Sequence, residues 1–176
     1  MVVSLCVYPN KTFLALGCNI GNWKFNFNRC LSELKNIGKL VSIGNIYISQ
    51  PYGYKEQNNF YNTAVEFHTK SSPIKLMNEL QLIEKKLYKN KLIKNGPRRI
   101  DIDIIFFNSL KINQENLIIP HPRATNRDFV IFPLSDINPY FKHPIEKKSL
   151  KKLKEEIDDT YIEKKIMQRI DLFVIH

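Results

Sequence analysis

The sequence is poor in cysteine and lacks any long apolar run. Cys6, Cys18 and Cys30 are its three cysteines, and no two of them form a C-x-x-C pair. An odd number of thiols without that spacing argues against a disulfide framework and a zinc site, and favours free thiols in a reducing cytoplasm. No apolar stretch approaches the roughly 20 residues that span a membrane. Residues 1–8 lack a basic start and a small-residue cleavage site, so a signal peptide is not predicted.

Common signatures of nucleotide-binding and hydrolytic sites are also missing. The sequence contains no G-x-x-x-x-G-K-[ST] segment and no glycine-rich loop of the protein-kinase type. The segment at residues 17–21, Gly-Cys-Asn-Ile-Gly, is too short and wrongly placed for a dinucleotide fingerprint. No Ser-His-Asp arrangement is indicated. These absences exclude the best-known nucleotide sites, although they do not exclude nucleotides as ligands.

A surplus of basic residues dominates the charge. The 27 lysines and arginines outnumber the 17 aspartates and glutamates, which gives a net charge of +10 at pH 7. Such a charge attracts nucleic acids, acidic membranes or phosphorylated small molecules, and it does not choose among them. The lysine pairs near the C-terminus are interpreted as a solvated helix face.

Apolar periodicity and capping residues predict one domain built from alternating helices and strands. The predicted strands cover residues 12–16, 40–48, 60–69 and 100–107, the main helices are capped by Asn22 and Ser72, a short helix covers residues 126–136, and a helical tail follows Ser149. This order indicates an α+β, ferredoxin-like βαββαβ core, in which helices pack on one face of an antiparallel sheet. We expect residues 1–176 to form one domain, with a core at 11–145 and a C-terminal extension at 146–176.

The segment around Asp101 and Asp103 is the most informative for chemistry. In a strand, alternate side chains share a face, so the two aspartates point the same way. Two ionised carboxylates on one face repel each other unless a cation lies between them, and Mg²⁺ prefers such oxygen ligands together with substrate phosphates. Arg98 lies just upstream and is suited to a phosphate. An Asp-x-Asp pattern alone is common by chance, but the preceding Gly96-Pro97-Arg98 favours a functional site.

Two further groups combine basic, amide and aromatic side chains. His121 and Arg127 are candidates for binding phosphate oxygens, and Phe129 for stacking on a flat ring. Asn62 offers a donor and an acceptor to a heterocycle, with Tyr52 nearby as an aromatic wall. Taken singly, these residues also fit a surface histidine, a core phenylalanine and an ordinary turn followed by a strand.

In this order, the three groups resemble the 6-hydroxymethyl-7,8-dihydropterin pyrophosphokinase family of folate biosynthesis. The most specific match is Gly-Pro-Arg-x-x-Asp-x-Asp at residues 96–103, and the resemblance extends from about residue 13 to residue 144. It includes the turn at 16–19, the segment at 60–65 and the Asn-Arg-x-Phe segment at 126–129.

The resemblance implies a ferredoxin-like enzyme that transfers diphosphate from ATP to the pterin hydroxymethyl group and releases AMP. It implies two Mg²⁺ ions bound by Asp101 and Asp103, with Arg98 joining these residues in catalysis. The implied ATP-binding residues are Gln81, Glu84, Arg98, Ile104, His121 and Arg127. The implied pterin-binding residues are Ser49, Gln50, Tyr52, Phe60, Asn62 and Phe129. ATP and the pterin are the expected partners, without nucleic acid or membrane, and other folate-pathway enzymes are further candidates.

The sequence departs from the family pattern at several positions. Asn95 stands where tryptophan often precedes Gly-Pro-Arg, Lys89 and Lys91 replace loop arginines, and Phe60 replaces a usual tyrosine. Because lysine cannot form the guanidinium fork, weaker closure over ATP is expected rather than loss of activity.

Two other function classes are compatible with parts of the sequence. A nucleic-acid-binding module fits the fold order and the basic charge, but it lacks the strand motif of RNA-binding domains, and paired aspartates repel phosphates without a metal. A non-catalytic nucleotide binder would explain the departures at Asn95 and the loop lysines. The chain is also compatible with being one domain of a longer folate-pathway protein.

Overall fold

The computed structural model describes residues 8–87, 96–158 and 160–167. The elements in chain order are β1 (Asn10–Cys18), α1 (Trp23–Ile37), β2 (Gly38–Ile43), β3 (Ile46–Ser49), β4 (Phe60–Thr69), α2 (Pro73–Leu87), β5 (Asp101–Phe107), β6 (Ile112–Gln114), β7 (Leu117–Ile119), α3 (Asp128–Ile137), α4 (Leu150–Glu155) and β8 (Ile162–Ile166). Within these ranges, no helix has the length and apolar character needed to cross a membrane.

Six strands form one antiparallel sheet, and β6 and β7 form a separate hairpin. The main sheet has the strand order β5–β1–β4–β3–β8, and β2 also pairs with β4. β1 lies between β4 and β5 and pairs with both in antiparallel register. The order of β5, β1, β4 and β3, joined through α1 and α2, is the ferredoxin-like arrangement, so the predicted βαββαβ core is confirmed.

Both main helices start and pack as their sequences predict. The side chain of Asn22 accepts a hydrogen bond from the Phe25 backbone N–H at 3.1 Å, which caps α1. The apolar stripe of α1 that includes Phe27 and Leu31 is buried against one face of the sheet. In α2, Leu80 is among the buried residues of the same apolar core. These two helices therefore cover one face of the sheet.

The predicted packing of the two core helices on one face of the sheet is confirmed, and α3 and α4 cover the second face as well. Phe13 and Leu14 are neighbours on β1 and point to opposite faces, yet both are fully buried. Leu14 belongs to the core under α1 and α2, whereas Phe13 packs with Ile131 of α3 and Leu150 of α4 in a second core. The short helices that follow β5 thus form a third layer.

The strand predicted at residues 40–48 is interrupted in the structure. β2 ends at Ile43 and β3 begins at Ile46, although both pair with β4. At Gly44, a Cβ atom would lie 2.4 Å from the carbonyl oxygen of Pro133, so the backbone of α3 comes too close for any side chain. The interruption is therefore set by packing against α3, which lies far along the sequence.

The C-terminal tail is helical only over α4, so the prediction of a helical tail was wrong for the segment that follows. Ser149 caps α4 by accepting a hydrogen bond from Lys152 N at 3.2 Å, and the helix ends at Glu155. The chain then forms β8, which pairs with β3 at the sheet edge. The buried carboxylate of Asp128 accepts hydrogen bonds from the backbone at the start of β8, and these long-range contacts override the helical tendency of the lysines and glutamate of that strand. The apolar run at residues 172–175 lies outside the described residues.

Candidate functional site

The edge strand β5 presents two carboxylates on one side. Asp101 and Asp103 are partly exposed and line the same cavity, whereas Ile102 and Ile104 between and beyond them are 7% exposed and belong to the core under α2. Opposite them on β1 lie Gly17, paired with Asp101, and a small alanine paired with Asp103. Strand alternation therefore directs both carboxylates into the cavity on the same face of β5.

Two adjacent cavities meet at this carboxylate pair. The first cavity, of about 280 Å³, lies over β1 between the β3–β4 loop and α3. The second, of about 370 Å³, lies between α2, β5 and the β6–β7 hairpin. Asp101, Asp103 and His121 line both cavities. The carboxylates therefore stand where molecules in the two cavities would meet.

The structure distributes all predicted site residues between these cavities. The first cavity is lined by Ser49, Gln50, Tyr52, Phe60, Asn62, Phe129, Arg98 and Arg127. The second is lined by Gln81, Glu84 and Ile104. The residues assigned to a heterocycle thus share one cavity, and the three assigned only to the nucleotide share the other. Lys89, Lys91 and Asn95 lie outside the described residues.

Arg98 is held against the carboxylates by a turn that contains Asn19. Its Nη1 donates to Asp101 Oδ2 at 2.7 Å, and its guanidinium carbon lies 5.4 Å from the centre of the Phe60 ring. The Arg98 backbone N–H donates to Asn19 Oδ1 at 2.8 Å, and Arg98 O accepts from Asn19 N at 2.9 Å. The guanidinium therefore lies on the side of the cavity where anionic oxygens would collect.

Asn19 also connects this turn to the loop between β3 and β4, a role that was not predicted from the sequence. Its Nδ2 donates to Gln57 Oε1 and to the carbonyl oxygen of Asn58, both at 3.0 Å. Its side chain is 7% exposed. The Gly-Cys-Asn turn belongs to the family pattern, and an asparagine in that turn is the signal that the sequence offers for this role.

Glu84 binds the backbone of β5. Its Oε1 accepts a hydrogen bond from Ile102 N at 2.8 Å. Because Ile102 lies between the two aspartates, this contact fixes the edge strand where the carboxylates leave it. Glu84 therefore positions the acidic pair besides lining the second cavity.

His121 is a neutral imidazole among cationic neighbours. Burial, followed by the guanidinium groups of Arg127 and Arg123, lowers the pKa of His121 to about 4. Its Nδ1 accepts a hydrogen bond from Arg123 N at 3.3 Å, which leaves the proton on Nε2 in the neutral form. At neutral pH, His121 thus offers an N–H donor without adding positive charge.

Arg127 is partly desolvated and has an unsatisfied donor. Burial is the main cause that lowers its pKa, and it remains cationic at neutral pH. Its buried Nε has no hydrogen-bond partner among the described residues. Its guanidinium carbon lies 4.8 Å from the centre of the Tyr52 ring and 5.8 Å from that of Phe129. A buried donor of this kind favours an anionic acceptor.

The amide of Asn62 is held in place at the base of the first cavity. Its Nδ2 donates to Ser49 Oγ at 2.9 Å, and Ser49 is 1% exposed. A Cβ atom at Gly17 would lie 3.3 Å from Asn62 Oδ1, so a side chain at position 17 would press on the amide. Gly17 therefore keeps room for Asn62, a role that the sequence analysis did not identify.

The oxygen ligands at the shared wall suit a divalent cation completed by other molecules. In the described part of the chain, no cluster of three or more His, Cys, Asp or Glu side chains is arranged to hold a metal ion. Mg²⁺ is commonly bound by one or two carboxylates, with water and substrate phosphates as its other ligands. Asp101 and Asp103 fit that donor set, because they face one cavity wall and supply oxygen ligands only.

Comparison with known proteins gives consistent matches. The model of a family described as 7,8-dihydro-6-hydroxymethylpterin-pyrophosphokinase matches residues 13–139. The chain is 33% identical over 144 residues to the 2-amino-4-hydroxy-6-hydroxymethyldihydropteridine pyrophosphokinase of Aquifex aeolicus, covering 82% of this chain and 90% of that protein. It is 41% identical over 149 residues to the folic acid synthesis protein fol1 of Pneumocystis carinii, covering 84% of this chain.

Some of these relatives are much longer than this chain. The match spans 20% of the Pneumocystis protein. The structure is also similar to Plasmodium falciparum HPPK-DHPS, with a TM-score of 0.70 and 18% sequence identity, over 84% of this chain and 45% of that one. At 18% sequence identity, this structural similarity shows a shared fold and nothing further.

Proposed function

Because this chain belongs to the 7,8-dihydro-6-hydroxymethylpterin-pyrophosphokinase family, we propose that it transfers diphosphate from ATP to the hydroxymethyl group of 6-hydroxymethyl-7,8-dihydropterin and releases AMP. The observation that carries the proposal is the carboxylate pair on the wall shared by two cavities. One cavity has groups suited to a flat heterocycle and the other has groups suited to a nucleotide. The reacting atoms would meet between them.

The first cavity is assigned to the pterin. The Asn62 amide, oriented by Ser49, presents hydrogen-bonding groups to the edge of the ring. The rings of Tyr52 and Phe129, with centres 6.4 Å apart, provide an aromatic wall beside it. Gln50 and Phe60 complete the lining. Phe60 lacks a phenolic hydroxyl and so contributes apolar contact only.

The second cavity is assigned to ATP. Gln81, Glu84 and Ile104 line it and would lie near the nucleoside. Arg98, Arg127 and His121 lie where the polyphosphate would approach the pterin. Two guanidinium groups bind phosphoryl oxygens with charge and direction, and the neutral His121 adds an N–H donor.

Two Mg²⁺ ions are proposed to bind at Asp101 and Asp103 together with the phosphates. When bound, the ions would neutralise phosphate charge and help align the attacking and leaving oxygens. The protein's part is to hold two carboxylates on a rigid strand, fixed by the contact between Glu84 and Ile102. The Nη1 atom of Arg98 lies 2.7 Å from Oδ2 of Asp101, so the site accepts positive charge beside this carboxylate.

The reaction forms a bond between the hydroxymethyl oxygen and the β-phosphorus of ATP and breaks the bond between that phosphorus and the oxygen bridging it to the α-phosphorus. Phosphoryl transfer of this kind depends mainly on positioning and charge stabilisation. Asn62 and the aromatic wall orient the hydroxymethyl group towards the shared wall. Arg98 and Arg127 stabilise negative charge on the phosphoryl oxygens as it redistributes. Asp101 is assigned to metal binding, and the proton of the hydroxymethyl group passes to solvent as the new bond forms.

We also propose the domain boundaries, the cellular location and the partners of this protein. We assign residues 1–176 to one domain, with residues 146–176 as an extension of a core at residues 11–145. A cytoplasmic location is supported by the buried free thiols of Cys18 and Cys30. Because relatives include longer folate-synthesis proteins, other enzymes of that route are candidate partners. ATP and the pterin are the proposed small-molecule partners, without nucleic acid or membrane.

The test is an assay of AMP release with ATP, Mg²⁺ and 6-hydroxymethyl-7,8-dihydropterin. AMP should appear only when all three are present. Asp103→Ala should lower turnover by at least about a hundredfold, because one carboxylate is lost from the charge-stabilising site. Its thermal unfolding should stay close to that of the wild type, since Asp103 is partly exposed.

Asp158→Ala is the matched control, because Asp158 is an exposed aspartate away from both cavities. This variant should retain full activity. Wild-type turnover in Asp103→Ala would contradict the metal assignment. If the unaltered chain binds ATP but releases no AMP, the proposed transferase activity is wrong.

A further inference from the structure

The strand β8 lies beyond the segment that matches the family, yet it contacts the first cavity's wall. The family match ends at residue 139, whereas β8 covers Ile162–Ile166 and pairs antiparallel with β3. β3 ends at Ser49, the residue that orients Asn62. The extension therefore forms part of the sheet directly beside the proposed pterin site.

A fully buried carboxylate fixes the point where β8 begins. Asp128, at the first position of α3, is 0% exposed. Its Oδ2 accepts hydrogen bonds from Tyr161 N at 2.6 Å and Ile162 N at 2.8 Å, and its Oδ1 accepts from Phe129 N at 2.7 Å. The same side chain thus fixes β8 and the backbone of Phe129, whose ring lines the cavity.

Glu163 holds both ends of the loop between β3 and β4. Its Oε1 accepts a hydrogen bond from Gln50 Nε2 at 3.2 Å, and its Oε2 accepts from Asn59 Nδ2 at 2.6 Å. Gln50 is the first residue after β3, and Asn59 is the last before β4. In addition, Gln50 N donates to Tyr161 O at 2.8 Å. The Glu163 carboxylate therefore holds the two ends of this loop, which carries Tyr52, at a fixed distance from each other.

The ring of Tyr161 supports the aromatic wall from behind. Its centre lies 5.4 Å from that of Tyr52, with an angle of 64° between the rings, and 6.0 Å from that of Phe129, with an angle of 88°. Both are edge-to-face contacts of the favourable kind. Tyr52 and Phe129 line the first cavity, whereas Tyr161 does not. Tyr161 therefore acts on a bound molecule only through those two rings.

From these contacts, we propose that Tyr161 and Glu163 are positioning residues that hold the aromatic wall and its loop ready for a flat heteroaromatic substrate. The proposal rests on the proposed function for the identity of that substrate, the pterin. Ordering the wall before binding lowers the entropy cost of ordering it on binding. The effect should therefore appear mainly in affinity for the pterin. Gln81, Glu84 and Ile104 line the second cavity away from β8, and among the proposed ATP-binding residues it is Arg127 that contacts the wall, through the rings of Tyr52 and Phe129.

The test compares four variants of the full chain: Tyr161→Ala, Tyr161→Phe, Glu163→Ala and Lys164→Ala. Calorimetry should show that Tyr161→Ala weakens pterin binding about tenfold, since two edge-to-face ring contacts are lost. Tyr161→Phe keeps the ring and should bind within about twofold of the wild type. In all four variants, the Kd for ATP with Mg²⁺ should stay close to that of the wild type.

Hydrogen exchange of the loop provides a readout without any ligand. Glu163→Ala should speed amide exchange in residues 50–59, because both side-chain hydrogen bonds at the loop ends are lost. Lys164 is an exposed neighbour of Glu163 on the same strand and takes no part in the two contacts at the loop ends, so Lys164→Ala should leave that exchange unchanged. Thermal unfolding of each variant shows how much of any change in binding or amide exchange results from a loss of overall stability.

Several outcomes would overturn the inference. These are unchanged pterin binding in Tyr161→Ala, equal losses of pterin and ATP affinity, unchanged loop exchange in Glu163→Ala, or a wild-type chain that does not bind the pterin. The last of these outcomes would also refute the proposed function, whereas the first three leave the proposed function untouched. A wild-type chain that binds the pterin but releases no AMP would refute the transferase proposal, while the binding and exchange data would still decide the role of Tyr161 and Glu163.

Discussion

His121 shows how a single side chain can serve a phosphate site without charge. It lies between two arginines and lines both cavities, and burial together with those arginines lowers its pKa to about 4. A protonated imidazole there would add to the repulsion between neighbouring cations. The neutral form keeps one N–H donor available and leaves Arg98, Arg123 and Arg127 as the positive charges that line the first cavity.

The same shift makes a prediction for stability against pH. In the unfolded chain His121 has its ordinary pKa of 6.5, and in the fold its pKa is about 4, so the unfolded state binds more protons between these values. The free energy of unfolding should therefore fall as pH is lowered from about 6.5 to about 4. In His121→Gln this fall should be smaller, as measured by urea unfolding at a series of pH values.

His143 remains in both proteins and provides the internal reference. Burial also lowers the pKa of His143, so it contributes acid sensitivity of the same sign to the wild type and to His121→Gln. The difference between the two pH profiles therefore isolates His121. Superimposable profiles would show that His121 titrates alike in the folded and unfolded chains, and would remove the argument for a neutral imidazole.

At the scale of elements, three loops meet at Asn19 and bring the site together. This side chain binds the backbone of Arg98, the side chain of Gln57 and the backbone of Asn58. The turn after β1, the segment before β5 and the β3–β4 loop therefore share one buried amide. The Asn19 amide therefore fixes the position of Arg98 relative to the β3–β4 loop.

Asn19→Ala should lower both stability and activity. Loss of the buried amide contacts should cost about 1–3 kcal/mol in free energy of unfolding, because the partner groups lose their hydrogen bonds. The kcat/KM for AMP release should fall at least about tenfold, since displacement of catalytic groups reduces transition-state stabilisation. Chemical denaturation and steady-state kinetics measure the two effects.

Asn22→Ala separates these effects. It removes the cap of α1 and should cost about 1 kcal/mol of stability, but it touches neither cavity. Its kcat/KM should remain near that of the wild type. Equal losses of activity in Asn19→Ala and Asn22→Ala would mean that Asn19 acts through general stability alone.

The elements that the sequence predicted are those whose signals are local. Asn22 and Ser72 mark helix starts, and the two long strands at residues 60–69 and 101–107 carry enough apolar residues to be recognised. The strand break at Gly44 depends on the approach of Pro133; the dipeptide Gly44-Asn45 is a local turn signal, but it does not identify the segment that packs there. The hairpin of β6 and β7 has only three residues in each strand, too few for a periodic pattern.

The candidate site also combines residues that local sequence signals predict with residues whose roles depend on the fold. The motif at residues 96–103 and strand alternation were sufficient to group Asp101, Asp103 and Arg98. The roles of Asn19, Tyr161 and Glu163 arise from hydrogen bonds and ring contacts between segments far apart in the chain. Strand β8 is rich in lysine and glutamate, and its pairing with β3 depends on the buried carboxylate of Asp128. Such contacts become visible only after the chain is folded.

At the scale of the whole molecule, the net charge of +10 distinguishes the two proposed substrates. ATP with its metal remains an anion, whereas the dihydropterin is uncharged. A positive protein attracts the anion over several ångströms, and salt screens this attraction because the Debye length falls from about 10 Å at 0.1 M to about 3 Å at 1 M. The short-range contacts proposed for the pterin, through Asn62 and the aromatic wall, depend much less on salt.

Raising the ionic strength should therefore raise the KM for ATP severalfold and change the KM for the pterin by less than about twofold, from about 0.1 M to about 1 M salt. Steady-state kinetics at saturating Mg²⁺ measure both constants, and salts with two different anions separate screening from competition at Arg98 and Arg127. If both constants rise together, the salt acts on the whole fold. If neither rises, the basic surface does not contribute to capture of the nucleotide, and its lysines serve another purpose.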